Sequence, residues 1–156
     1  NYYTSKEEIF RDVIVEVEKD LTTVAPADEL DAYRNPVSRL RAANRAYVRG
    51  YRRNAALISL LPQMRDSNDE IHSLGRSIIV HFQDRVAAAI ERWQREGLVY
   101  PDLDATYTAH ALTFMTERLV VVATTRMYEF DYDEERLLDT VNKVWERTLG
   151  FDRFVG

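Results

Sequence analysis

Residues 69–97 read DEIHSLGRSIIVHFQDRVAAAIERWQREG. Within them Ile71, Leu74, Ile78, Phe82, Val86, Ile90 and Trp93 recur every three or four positions. That spacing puts them on one face of an α-helix more than twenty residues long. Gly97 follows, a residue suited to the left-handed turn that ends a helix. A long helix with a single apolar stripe must lay that stripe against other helices, so the stretch predicts a helical assembly.

The flanking segments repeat the pattern. Ser5 and Glu8 form a capping box, in which each side chain takes a free backbone N–H of the first turn. Ile9, Val13 and Val17 follow, with Phe10, Ile14 and Leu21 on the adjacent line, and the helix is expected to stop before Pro26. Residues 25–35 form a polar connection. Asn35 and Pro36 then start a second helix, one as cap and the other at the first helical position. Its inner stripe is Val37, Leu40, Asn44, Tyr47, Val48 and Tyr51, and Arg41, Arg45, Arg49 and Arg52 mark another face. A break is expected near Arg53 and Asn54, then a short apolar helix from Ala55 to Leu61 that runs into Pro62, with a loop at 66–69. Beyond Gly97, residues 98–104 are a linker and Asp104 is a cap. The helix at about 105–127 is apolar on more than one face and so must be covered on both sides. The last helix opens at Asp133, carries Leu137, Leu138, Val141, Val144, Trp145 and Leu149, and closes at Gly150. The fold class is all-α, with about six helices.

Composition agrees. A chain of 156 residues is one domain's worth and has room for a substantial core. An apolar fraction of 46% with 30% charged residues excludes a disordered chain. An apolar run such as Leu119–Ala123 is far short of the roughly 20 residues a bilayer requires, so no membrane partner is expected. The absence of cysteine excludes disulfides, thiolate zinc sites and a cysteine nucleophile, and fits a cytoplasmic protein. The first residues do not form a secretory leader, and the chain does not begin with methionine, so a preceding segment is expected. Only Lys6, Lys19 and Lys143 of the 21 basic residues are lysine, which suggests a GC-rich bacterial gene. Residues 34–65 hold eight arginines and no acid, yet the whole chain carries a net charge of −5. Such a chain does not resemble a nucleic-acid binder by itself. The arginine face is expected to pair with the acidic first helix (Glu7, Glu8, Asp12, Glu16, Glu18 and Asp20).

Few constellations carry chemistry. His81 and Asp84 could present two metal ligands one turn apart, but two ligands do not make a site, and no Glu-x-x-His pair occurs. There is no Gly-x-Ser-x-Gly elbow and no phosphate loop. His110 beside Thr113 or Glu117 does not rise above an ordinary helix histidine. No cofactor, metal or catalytic residue is expected. Polar residues inside apolar stripes are more informative, because a buried polar group without a partner costs about 1–3 kcal/mol. Asn44 lies on the Leu40–Val48 line, and Glu117 and Arg118 interrupt the apolar helix. Each can be satisfied internally, or can line a pocket and orient a bound molecule.

The first ten residues, NYYTSKEEIF, resemble the segment joining the DNA-binding head to the regulatory body in TetR-family repressors. That segment reads aromatic-aromatic-x-Ser-Lys-Glu-x-apolar-apolar. The order of helices is similar too, and Met115-Thr116-Glu117-Arg118 resembles a Met-x-Glu-x stretch in the family's penultimate helix. The resemblance implies that residues 1–4 end a recognition helix whose helix-turn-helix domain is otherwise missing, and that residues 5–156 form a ligand-binding and dimerisation domain. Phosphate contacts to operator DNA would fall on Tyr2, Tyr3 and Lys6. The partners implied are operator DNA, a small-molecule effector and a second copy of the chain.

A mostly apolar cavity is therefore expected between the helices at 36–64, 71–96 and 105–118. Its walls would be Tyr47, Tyr51, Leu57, Met64, Ile78, Phe82, Phe114 and Met115, with Asn44 and Arg118 as polar anchors. An arginine there would suit an acidic head, and one neutralised by Glu117 would suit a neutral apolar effector instead; an acidic or hydroxylated lipid-like or aromatic molecule is expected. Val121, Val122, Leu138, Val141 and Trp145 offer more apolar surface than one small domain needs, and are expected at a homodimer interface built as a four-helix bundle. Two other readings stand beside this one, a small helical enzyme and a helical dimerisation module without a ligand. A filled core would favour the module, and convergent titratable groups in a cavity would favour the enzyme.

Overall fold

Capping residues set the start of three helices in the computed structural model. The structure describes residues 6–23, 35–67 and 69–153, without the side chains of 6, 7, 61, 62, 64–67, 74 and 78. Within them lie six α-helices and no strand. They are α1 (Lys6–Thr22), α2 (Pro36–Arg53), α3 (Ala55–Ser67), α4 (Asp69–Arg95), α5 (Ala105–Thr125) and α6 (Glu134–Leu149), followed by a short 3₁₀ turn at Phe151–Arg153.

Asn35 is extended and its Oδ1 accepts from the Ser38 N–H at 2.8 Å, with Pro36 in the first turn. Asp104 accepts from the Tyr107 N–H and Asp133 from the Arg136 N–H, both at 2.9 Å. Each satisfies a backbone donor that the first turn leaves free. Gly150 closes α6 at φ 92°, a left-handed conformation that glycine adopts without strain. Two boundaries differ from the sequence expectation. The third helix does not stop at Pro62 but runs to Ser67. Proline removes one backbone bond, and the packing of α3 against α2 and α4 offsets that loss. The apolar helix stops at Thr125, two residues early, because Arg126 is left-handed at φ 53°.

The centre of the fold is α2, which lies against α1, α3, α5 and α6. The deepest core positions are Ile90, Val99, Val120, Val141 and Leu149. Burying each stabilises the fold by about 1.5–3 kcal/mol. Trp93 meets Phe151 edge-on at 5.1 Å, and the Tyr100 N–H donates to the Leu149 carbonyl at 2.9 Å, so the 96–104 linker is tied to the end of α6.

Among the described residues, three arginines of the α2 face pair with the last helix, a partner the sequence did not suggest. Arg41 Nε donates to Glu146 Oε1 at 2.6 Å, and Arg49 and Arg52 reach Glu135 and Glu134 at 3.4 Å. These acids lie 82–105 positions further along the chain, where sequence proximity gives no hint of them. Beyond this face, the C-terminal end of α2 meets α1. Arg53 and Asn54 both bond the Asp20 carboxylate, at 3.1 and 2.6 Å. Beside them Gly50 lets the helices touch, because a Cβ there would sit 2.8 Å from the Asp20 carbonyl oxygen. The C-terminal end of α1 is thus fixed to α2.

Candidate functional site

The apolar stripes do not meet completely. Between the helices lies a partly open cavity of about 800 Å³, within the range of small-molecule sites. α1 contributes Ile14, Val17 and Leu21, and α2 contributes Leu40, Asn44, Tyr47 and Tyr51. Ile58 comes from α3, and Ile79, Phe82, Gln83 and Val86 from α4. The far wall is Thr113, Thr116, Glu117 and Val121 of α5, closed by Trp145 of α6.

The polar groups of this wall are few and mostly engaged. Asn44 Nδ2 donates to Asn142 Oδ1 at 3.0 Å, tying α2 to α6. The Thr113 and Thr116 hydroxyls donate back to the Ala109 and Leu112 carbonyls at 2.7 Å, and Thr116 Oγ1 also accepts from Trp145 Nε1 at 2.9 Å. The Tyr47 and Tyr51 rings are 6.1 Å apart. Burial, with the negative charge of Glu117, pushes both phenols above the ordinary tyrosine range, so they stay protonated. Gln83 is buried, and its Oε1 accepts no hydrogen bond.

Four of the ten expected wall residues line the cavity: Asn44, Tyr47, Tyr51 and Phe82. Four do not. Leu57 faces away from it on the outside of α3. Phe114 is half exposed and stands edge-on to His110 at 5.8 Å. Met115 packs against the core. Arg118 points outward, with Nη2 directed at Met127 Sδ at 3.5 Å. α5 turns Phe114, Met115 and Arg118 away from the space that Thr113, Thr116 and Glu117 face. Met64 and Ile78 have side chains outside the described residues, as has Lys6, and Tyr2 and Tyr3 lie outside them altogether.

Three residues expected at an interface are instead core residues of the single chain, because Leu138, Val141 and Trp145 are at most 5% exposed. Val121 lies on the cavity wall and Val122 is half-buried. The exposed apolar surface of this region is elsewhere, at Tyr107, Phe114, Met127, Tyr128 and Phe130.

The sequence reading missed the α1 wall and Gln83. Ile14, Val17 and Leu21 form a visible stripe, but periodicity does not say which neighbour a stripe faces. Gln83 carried a usable signal, a polar residue within the Ile79–Phe82–Val86–Ile90 stripe. No histidine lines the cavity, so the wall offers no histidine base for hydrolytic chemistry. It is suited to enclosing an apolar molecule and holding it through a small number of polar contacts.

A family model described as the C-terminal domain of the transcriptional regulator EthR matches residues 40–149. No curated protein matches the chain significantly.

Proposed function

The chain belongs to the EthR-type C-terminal domains of TetR-family transcriptional regulators, and on that premise we propose that it senses a small, mostly apolar effector and releases operator DNA in response. The observation that carries this reading is the cavity of about 800 Å³, one wall of which is α1. In the whole regulator, α1 is the helix that reaches the DNA-binding head. Its C-terminal end is clamped at Gly50, Arg53 and Asn54, while Ile14 and Val17 face the cavity. A molecule that fills the space presses on α1 ahead of the clamp, where the helix meets α4 through the Arg11–Glu70 ion pair, and leaves its C-terminal end in place. Two recognition helices must stand about 34–36 Å apart to enter successive major grooves, so a tilt of α1 breaks operator binding. The effector shifts this equilibrium only by its preference for the tilted arrangement.

The active unit in this reading is a homodimer. Each copy offers Tyr107 and Phe114 on the outer face of α5, with Tyr128 and Phe130 beyond its end, and an exposed apolar surface of this kind marks an interaction site. Operator binding by the whole regulator, followed by fluorescence anisotropy, tests the proposal. A ligand found by thermal shift on the chain releases the operator if the reading is right. A ligand that binds the chain and leaves operator affinity unchanged refutes it.

A further inference from the structure

Among the described residues, Gln83 of the cavity wall holds a buried side-chain oxygen that the fold leaves without a partner. Gln83 is only 5% exposed, and its Oε1 accepts nothing. Buried side-chain oxygens are satisfied in the large majority of cases, so an exception calls for an explanation. Several donors on the same cavity wall are already committed, while the Tyr47 and Tyr51 phenols stay protonated. Thr113 and Thr116 give their hydroxyl protons to the carbonyls of their own helix, Trp145 gives its N–H to Thr116, and Asn44 gives its amide to Asn142. The terminal amide torsion of glutamine is soft, so the group can turn its oxygen toward the cavity that Gln83 lines.

We infer that Gln83 is a specificity residue, which accepts a hydrogen bond from a donor on the effector, so that the effector class is an apolar body carrying a neutral hydroxyl or amide N–H. This rests on the reading of the cavity as the effector site. An ester or ether of the same shape brings no donor and leaves the Gln83 oxygen unmet. A carboxylate brings no donor either, and meets the Glu117 carboxylate on the same wall. Arg118, the arginine the sequence offered for an acidic head, points away from the cavity. Arg39, Arg85 and Arg92 line it but are exposed, at its rim.

A matched series of probes tests the inference: dodecanamide, dodecan-1-ol, methyl dodecanoate and dodecanoate, titrated into the 156-residue chain. Both tryptophans, Trp93 and Trp145, line the cavity, so intrinsic fluorescence reports occupancy. The amide and the alcohol are expected to bind about tenfold more tightly than the methyl ester. Gln83→Leu is expected to bring all three within about twofold, with a thermal midpoint at or above the parent's, because it removes an unsatisfied group. Gln83→Met, which keeps the length and drops the carbonyl, is the second variant should the first not fold. Equal binding of amide and ester, or a preference that survives both substitutions, overturns the inference and leaves the cavity reading intact. Tightest binding by dodecanoate overturns it in favour of the rim arginines. Binding of none of the four overturns the cavity reading and this inference together.

Discussion

Tyr47 shows how one buried side chain couples the site to solution conditions. Its phenol is pushed up by burial and by the Glu117 carboxylate, so the folded chain holds that proton more tightly than the unfolded chain does. A raised folded-state pKa contributes stability that is complete below the unfolded value and is lost as pH rises past it. Stability is therefore expected to fall as pH climbs through about 10, the ordinary tyrosine value. Tyr47→Phe should reduce that fall, as measured by urea denaturation at about pH 8 and about pH 10.5, on either side of the ordinary tyrosine value. An identical fall in the variant would mean that Tyr47 does not carry it. Phe82 supplies a second residue-scale expectation. It lines the cavity and is only half-buried, so Phe82→Ala should cost less than the roughly 3–5 kcal/mol of a core phenylalanine. Effector affinity should drop at least about tenfold, and a thermal melt beside a fluorescence titration separates the two effects. Tyr47, Tyr51 and Phe82 were legible as wall residues because they fall on apolar stripes of helices that pack together. Phe114, Met115 and Arg118 were misplaced because α5 is apolar on several faces, so its periodicity does not select the one that meets the cavity.

At the scale of elements, the caps were the most readable part of the chain. Asn35, Asp104, Asp133, Gly97 and Gly150 all sit at helix ends, because each has a local role that needs no tertiary partner. Pairings between elements were not readable. The arginines of α2 meet Glu134, Glu135 and Glu146 of α6, and a periodic charge face does not name its counterpart. Gly50 is the position where element packing is least forgiving. Gly50→Ala puts a methyl group 2.8 Å from the Asp20 carbonyl oxygen, which is backbone and cannot swing aside. The end of α1 must lift from α2, so the thermal midpoint should fall by several degrees. In the whole regulator, operator affinity should fall without any ligand. A variant that melts with the parent and binds operator equally well would show that the α1–α2 clamp is not the fixed point of the switch. Val141 tests the assignment of α6. Because it is 1% exposed within the single chain, Val141→Asp buries an unpaired charge and should unfold the protein, at a cost of about 3 kcal/mol or more. A folded monomer would instead return Val141 to an interface.

At the scale of the molecule, the all-α class follows from uninterrupted helical spacing, and the cavity follows from what that spacing leaves unfilled. An 18.2 kDa chain with a space of about 800 Å³ beneath its N-terminal helix gives up packing energy there, which a bound molecule restores. Dimerisation belongs to the same scale. With Tyr107 and Phe114 exposed on α5, Phe114→Asp should give a folded monomer in sedimentation, with helical content unchanged. A dimer that persists would move the interface elsewhere. In the proposed switch, occupancy of the cavity moves α1 about its clamped end, and the absence of cysteine makes this directly measurable. Asp12→Cys places a single spin label on the exposed side of α1 in each copy of the proposed dimer. Pulsed electron resonance then gives the distance between the two labels, with and without a ligand that quenches Trp93 and Trp145. A shift of several ångströms is expected on saturation, enough to spoil the spacing of about 34–36 Å that two major grooves require. An unchanged distance distribution with the cavity fully occupied would contradict it.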